Sequence, residues 1–142
     1  MEVNIRRQSG TFHMRGTNSE GRSVETDAAV SIGGTNKGVR AMEMVLMALG
    51  SCSAVDIIKI LEKSKQNLED IRINIKGERE ENAIPSPFIH IHVHYELHGD
   101  ISPKKADRAV DLSLNKYCSV AHMLRQTAQI EYTFEIVKSP NQ

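Results

Sequence analysis

The segment from Glu43 to Leu61 constrains this chain more than any other; it reads Glu-Met-Val-Leu-Met-Ala-Leu-Gly-Ser-Cys-Ser-Ala-Val-Asp-Ile-Ile-Lys-Ile-Leu. It contains no proline, is apolar on nearly every side up to Ala54, and makes about five turns as a helix. A helix that is apolar all round is one buried all round, so the rest of the protein is expected to wrap it. Its charge-free part, Met44 to Val55, is about half to two thirds of a bilayer span, which predicts a core helix rather than a membrane anchor. In its middle, among small residues, stands Cys52.

The surrounding chain supplies strands and a second helix. Residues 2–8, 11–17 and 22–28 read as short strands broken at Gly10 and at the Gly16 to Gly21 turn. Residues 31–38 form a Gly-rich loop without the Gly-Lys-Ser/Thr ending of a phosphate cradle, and are expected to be a flexible connection. Beyond the central helix, residues 71–78 alternate with period two, as do residues 88–98 and 130–137. In the second of these, Ile89, Ile91, Val93, Tyr95 and Leu97 share one face and the histidines the other. Ser102-Pro103 is a helix start signal, and Ala106, Ala109, Val110, Ser113, Leu114 and Tyr117 make the buried stripe of the helix that follows. Three strands, a helix, two strands, helices and a strand predict a single α+β domain over residues 1–142, with antiparallel sheets around the central helix.

Eighteen Lys+Arg balance eighteen Asp+Glu, which points away from nucleic acid and anionic membranes and is compatible with self-association. The N-terminal Met-Glu-Val-Asn-Ile-Arg-Arg has no apolar signal-peptide core, so a cytoplasmic location is expected. In that reducing setting Cys52 and Cys118 are inert small hydrophobes or a redox pair rather than a permanent staple. Cys118 falls at the start of a short helix, where free N–H groups lower a thiol pKa, whereas Cys52 shares its helix face with Asp56. On this ground Cys118 is expected to be the more easily ionised. His90, His92 and His94 lack the further ligands of a zinc site and read as a solvated sheet face; His13 and His122 read as ordinary residues. No metal and no cofactor are called for.

Two motifs together resemble a known family. Met42 to Asp56 resembles the central-helix signature of the OsmC/Ohr family, and Lys116-Tyr117-Cys118-Ser119-Val120-Ala121 resembles its second-cysteine signature, with support from Gly77-Glu78-Arg79 and Ile89 to Tyr95. The resemblance implies an OsmC-like fold in which two chains intertwine as a homodimer. It also implies a thiol peroxidase, in which Cys52 attacks an organic hydroperoxide, Cys118 closes a disulfide on it, and a dithiol reductant opens that disulfide. Peroxidase members place a Glu ten positions before the first cysteine, together with an Arg from the N-terminal strands. Here Met42 occupies that position and Glu43 is the nearest candidate carboxylate; Arg15 and Arg22 lie in the region of the Arg. Nine residues of ideal helix leave about 180° between Glu43 and Cys52, which marks the chain as a divergent branch. Two rival readings keep the fold: a non-catalytic dimer binding a small apolar ligand, and a thiol or persulfide sulfur-handling enzyme.

Overall fold

Glycines at positive φ, Gly10 at 56° and Gly21 at 79°, turn the first part of the chain back on itself twice. In the computed structural model, which describes residues 1–138, this yields strands β1 (Val3–Ser9), β2 (His13–Asn18) and β3 (Ser23–Thr26). They form an antiparallel sheet in that order, with Arg6 opposite Arg15 and Arg15 opposite Glu25. The chain divides into two compact units, Met1–Val45 and the remainder from Leu46 onward.

In the first unit the Gly-rich loop is not the flexible connection expected. The Asp27 carboxylate, 5 % exposed, accepts from the N–H groups of Ala28 (2.8 Å), Thr35 (2.9 Å) and Lys37 (3.1 Å) and from the Thr35 hydroxyl (2.7 Å). The Thr35 hydroxyl and these backbone donors outweigh desolvation and hold the Asp27 carboxyl well below the usual range. Gly34 fits only because it has no side chain: a Cβ there would lie 1.9 Å from the Ala28 carbonyl oxygen. A polar knot therefore organises a segment whose composition alone reads as floppy.

Helix α1 (Ala41–Lys63) follows, opened by Glu43, whose carboxylate reaches back to the Arg40 N–H at 2.8 Å. That is half of a capping box, satisfying one of the donors a helix start leaves free. Lys65, at a φ of 57°, turns the chain into β4 (Asn67–Arg79), which pairs antiparallel with β5 (Phe88–Asp100). Next come α2 (Pro103–Leu112), a single π-helical turn over Ser113–Tyr117, α3 (Ser119–Leu124) and β6 (Gln129–Val137). Strand β6 lies parallel to β5, a departure from the antiparallel expectation, because the chain crosses back through α2 and α3 instead of making a hairpin.

The core of the second unit is the face of β5 read from the alternation. Ile91, Val93, Tyr95 and Leu97 are fully buried, with Ile130 beside Ile91 and Phe134 beside Tyr95 on β6. Ile89 breaks the pattern at 44 % exposed while Phe88 is buried, since the β4–β5 register slips between Glu78 and Arg79. The Phe88 ring lies over Gly77, where a Cβ would come within 2.6 Å of it. Helix α1 lays Leu49, Gly50, Ser53, Ile57 and Leu61 inward, with Gly50 against Ile75. Its length and composition would suffice to cross a membrane, yet this line is buried within the unit. The opposite face is open, contrary to the expectation of a helix buried all round: Met47 and Val55 are each 51 % exposed and Ile58 is 41 % exposed.

Candidate functional site

Cys52 sits in the middle of α1, on the helix flank between the buried line through Leu49, Ser53 and Ile57 and the open face through Ser51 and Val55. Its side chain is half-buried. The next residue, Ser53, is fully buried and uses both of its polar groups. Its hydroxyl donates to the Gly50 carbonyl (3.0 Å) and accepts from the Tyr95 hydroxyl (2.9 Å). Its backbone carbonyl accepts from the Ser113 hydroxyl at 3.0 Å. The α1 backbone next to Cys52 is thus tied both to β5 and to the chain beyond α2.

Cys118 reaches this place through a feature that helical periodicity does not reveal. At the end of α2 the Cys118 N–H bonds the Ser113 carbonyl, five residues back, at 2.8 Å. Closing on the fifth residue rather than the fourth inserts one extra residue into the turn, and such single π-turns recur at functional sites. The extra residue rotates everything after it. Tyr117, expected in the buried stripe, is 51 % exposed, while Ala106, Ala109, Val110, Ser113 and Leu114 are buried as read. Cys118, one position later, turns inward and is only 3 % exposed.

The two thiols are close enough to interact, Cys52 being one of the groups that perturb Cys118. Cys118 also stands where the sequence placed it, at the N-cap of α3, with its Sγ accepting from the Ala121 N–H at 3.4 Å. The ionisation expected from that position does not follow. Burial pushes the Cys118 thiol up to about 11, reinforced by its hydrogen bond and the charge interaction with Cys52, against the smaller help of the Ala121 and Val120 N–H groups. Six residues of helix at a buried site cannot offset the loss of water. Cys118 therefore keeps its proton at neutral pH. The neighbouring Tyr95 is raised as well, by burial first and also by Cys118, the bond to Ser53 opposing.

Cys118 opens on one side to a groove of about 270 Å³ lined by Tyr117, His122, Met123, Lys116 and Arg125 among others. The Lys116 ammonium lies 5.4 Å from the centre of the Tyr117 ring. Arg125 is held on the Asn115 amide oxygen at 2.6 Å.

The other residues singled out from the sequence have partners of their own. Glu43 caps α1 as described, and Arg15 is engaged by Glu25, at 2.6 Å and 3.0 Å, with His13 on the same carboxylate at 3.1 Å. Arg22 is exposed. The Asp56 carboxylate is 3.5 Å from the Ser113 hydroxyl. His90 pairs with Glu131, and His92 and His94 both bond the Thr133 hydroxyl. Among the described residues no group of three or more His, Cys, Asp or Glu is arranged to hold a metal ion. The residues missed from sequence are Ser53, Tyr95 and Ser113. Their signal was present, since Ser53 and Ser113 are hydroxyls within apolar stripes, where a buried polar group must find a partner.

Known proteins carry the same fold and, in part, the same sequence. The family model for OsmC-like protein matches residues 34–133. Protein YhfA of Escherichia coli strain K12 is 45 % identical over 103 residues, 72 % of this chain and 76 % of that protein. The crystal structure of a hypothetical protein from Aquifex aeolicus VF5 superposes with a TM-score of 0.84 at 32 % identity, covering 97 % of this chain and 96 % of that one. An organic hydroperoxide resistance protein OsmC from Legionella pneumophila shares the fold at a TM-score of 0.72 and 12 % identity, covering 95 % and 97 % of the two chains. With two sheets and few helices in an α+β arrangement, two cysteine motifs in order and a family match over most of its length, the chain belongs to the OsmC-like protein family.

Proposed function

We propose that this protein is a cytoplasmic thiol peroxidase that reduces organic hydroperoxides through Cys52 and Cys118. The interaction of Cys52 with Cys118, two thiols brought together from 66 positions apart, is the observation that carries the reading. Organic hydroperoxide resistance proteins among its structural neighbours support the choice of substrate.

The division of labour follows from the environments. Cys118 is buried and keeps its proton, so it serves as the resolving thiol, and the half-buried Cys52 meets the peroxide. The Cys52 sulfur attacks the outer peroxide oxygen; the O–O bond breaks, the alcohol leaves with a proton from solvent, and Cys52 becomes a sulfenic acid. The Cys118 sulfur then attacks the Cys52 sulfur. Its proton goes to the departing hydroxyl, water leaves and the disulfide forms. A dithiol reductant returns both cysteines to thiols and is itself oxidised to a disulfide. No metal or cofactor enters this cycle. Glu43, the candidate carboxylate from the sequence, holds the Arg40 N–H at the start of α1.

The functional unit in this reading is a homodimer of 142-residue chains, each a single OsmC-like domain. Ala48, Ser51, Val55 and Ile58 form an exposed stripe along α1 at alternating spacings of three and four, and a second copy of the same helix would cover it.

The test is to treat the reduced protein with cumene hydroperoxide and map the products by mass spectrometry. Wild type is expected to form a Cys52–Cys118 disulfide; Cys118→Ser is expected to stop at a Cys52 sulfenic acid; Cys52→Ser is expected to leave the hydroperoxide unconsumed. Wild-type protein that yields neither the disulfide nor the sulfenic acid would refute the proposal.

A further inference from the structure

Four observations converge on Ser113, a residue with no place in the chemistry above. It is fully buried, although it is polar. Its hydroxyl donates to the backbone carbonyl of Ser53, the residue next to Cys52, at 3.0 Å. Its own carbonyl accepts the Cys118 N–H at 2.8 Å, the bond that closes the π-turn. Asp56, one helical turn beyond Cys52, lies 3.5 Å from the same hydroxyl.

We propose that Ser113 is the positioning residue for disulfide closure, clamping the π-turn that carries Cys118 onto the α1 backbone beside Cys52. One end of the residue holds the resolving cysteine and the other holds the neighbour of the attacking one. A buried hydroxyl donor aimed at a helix carbonyl gives a directional tie that an alanine of nearly the same size cannot. Without the tie the turn is free to relax toward ordinary α-helical closure. That relaxation removes the extra residue from the turn and rotates Cys118 away from Cys52. The burial of Ser113 is then explained by a requirement on the separation of two sulfur atoms, and Ser113 need not touch the peroxide.

This inference rests on Cys52 and Cys118 acting as a redox pair, and the test separates the two questions. Reduced wild type, Ser113→Ala and Ser113→Thr are oxidised in parallel with cumene hydroperoxide and with diamide. Loss of the Cys52 thiol and appearance of the Cys52–Cys118 disulfide are followed as separate rates, with dimedone trapping any sulfenic acid. Closure in Ser113→Ala is expected to slow by about tenfold or more, since a misplacement of about 1 Å can cost a hundredfold. Its first oxidation step with hydroperoxide is expected to be unchanged, so dimedone-labelled Cys52 accumulates. Ser113→Thr, which keeps the hydroxyl, is expected to restore closure. A purely structural role would leave the ratio of the two rates as in wild type, and that result overturns the proposal, as does a Ser113→Thr variant as slow as Ser113→Ala. Where the alanine variant does not fold, Ser113→Gly replaces it with the same expectations, because water can then reach the Ser53 carbonyl. Wild type unreactive toward hydroperoxide refutes the peroxidase reading alone, because the diamide arm still measures closure.

Discussion

At the scale of single residues Cys118 departs from what its local sequence suggests. A helix start favours a thiolate at Cys118, but the residue is 3 % exposed and its thiol is pushed up to about 11, because a buried anion loses more hydration than one short helix returns. The sign of the pH dependence follows. Alkylation needs the thiolate, so Cys118 is expected to resist iodoacetamide at pH 8 and to gain reactivity only as the pH approaches 11. Cys52, being half-buried, is expected to be labelled first. Peptide mapping after timed alkylation checks both statements, and Cys118 labelled ahead of Cys52 at pH 8 would contradict the burial argument. Both cysteines were legible in the sequence as candidates; the raised pKa of Cys118 was not, because desolvation is a property of the packed fold.

At the scale of elements, the period-two reading holds along the uninterrupted part of β5. The inward residues Ile91, Val93, Tyr95 and Leu97 of β5 are all fully buried. Departures occur where a pattern gains or loses a residue. The register slip between Glu78 and Arg79 exposes Ile89, and the π-turn over Ser113–Tyr117 exposes Tyr117. Neither insertion changes composition, so neither leaves a mark in apolar spacing. A third irregularity, between Leu68 and Asp70 on β4, depends on Gly99. Gly99 has a φ of 134°, and a Cβ there would lie 2.0 Å from the Asn67 carbonyl oxygen. Gly99→Ala is therefore expected to destabilise the protein by more than about 2 kcal/mol, combining a strained backbone with a clash that no rotamer relieves. Chemical denaturation would show this as a lower midpoint, and an unchanged midpoint would mean that β4 and β5 can shift to accept the side chain.

At the scale of the whole molecule, the outstanding feature is the open face of α1. A single chain leaves Met47 and Val55 each 51 % exposed and Ile58 41 % exposed on a helix whose other side is fully buried. The proposed homodimer predicts that Val55→Asp, a charge placed in that stripe, yields monomer in light scattering while the wild type runs as a dimer. A wild-type monomer would leave the stripe without the assigned occupant. The sequence by itself determined the central helix, the strand alternation, the α+β class and the identity of the two cysteines, because each depends on patterns a few residues long. Tertiary structure decided which face of α1 is covered, how Asp27 orders the Gly-rich loop, and that β6 runs parallel to β5. It also decided that Cys118 is carried on a π-turn whose Ser113 hydroxyl bonds the Ser53 carbonyl. These depend on contacts between residues up to 66 positions apart, and local spacing carries no information about such distances.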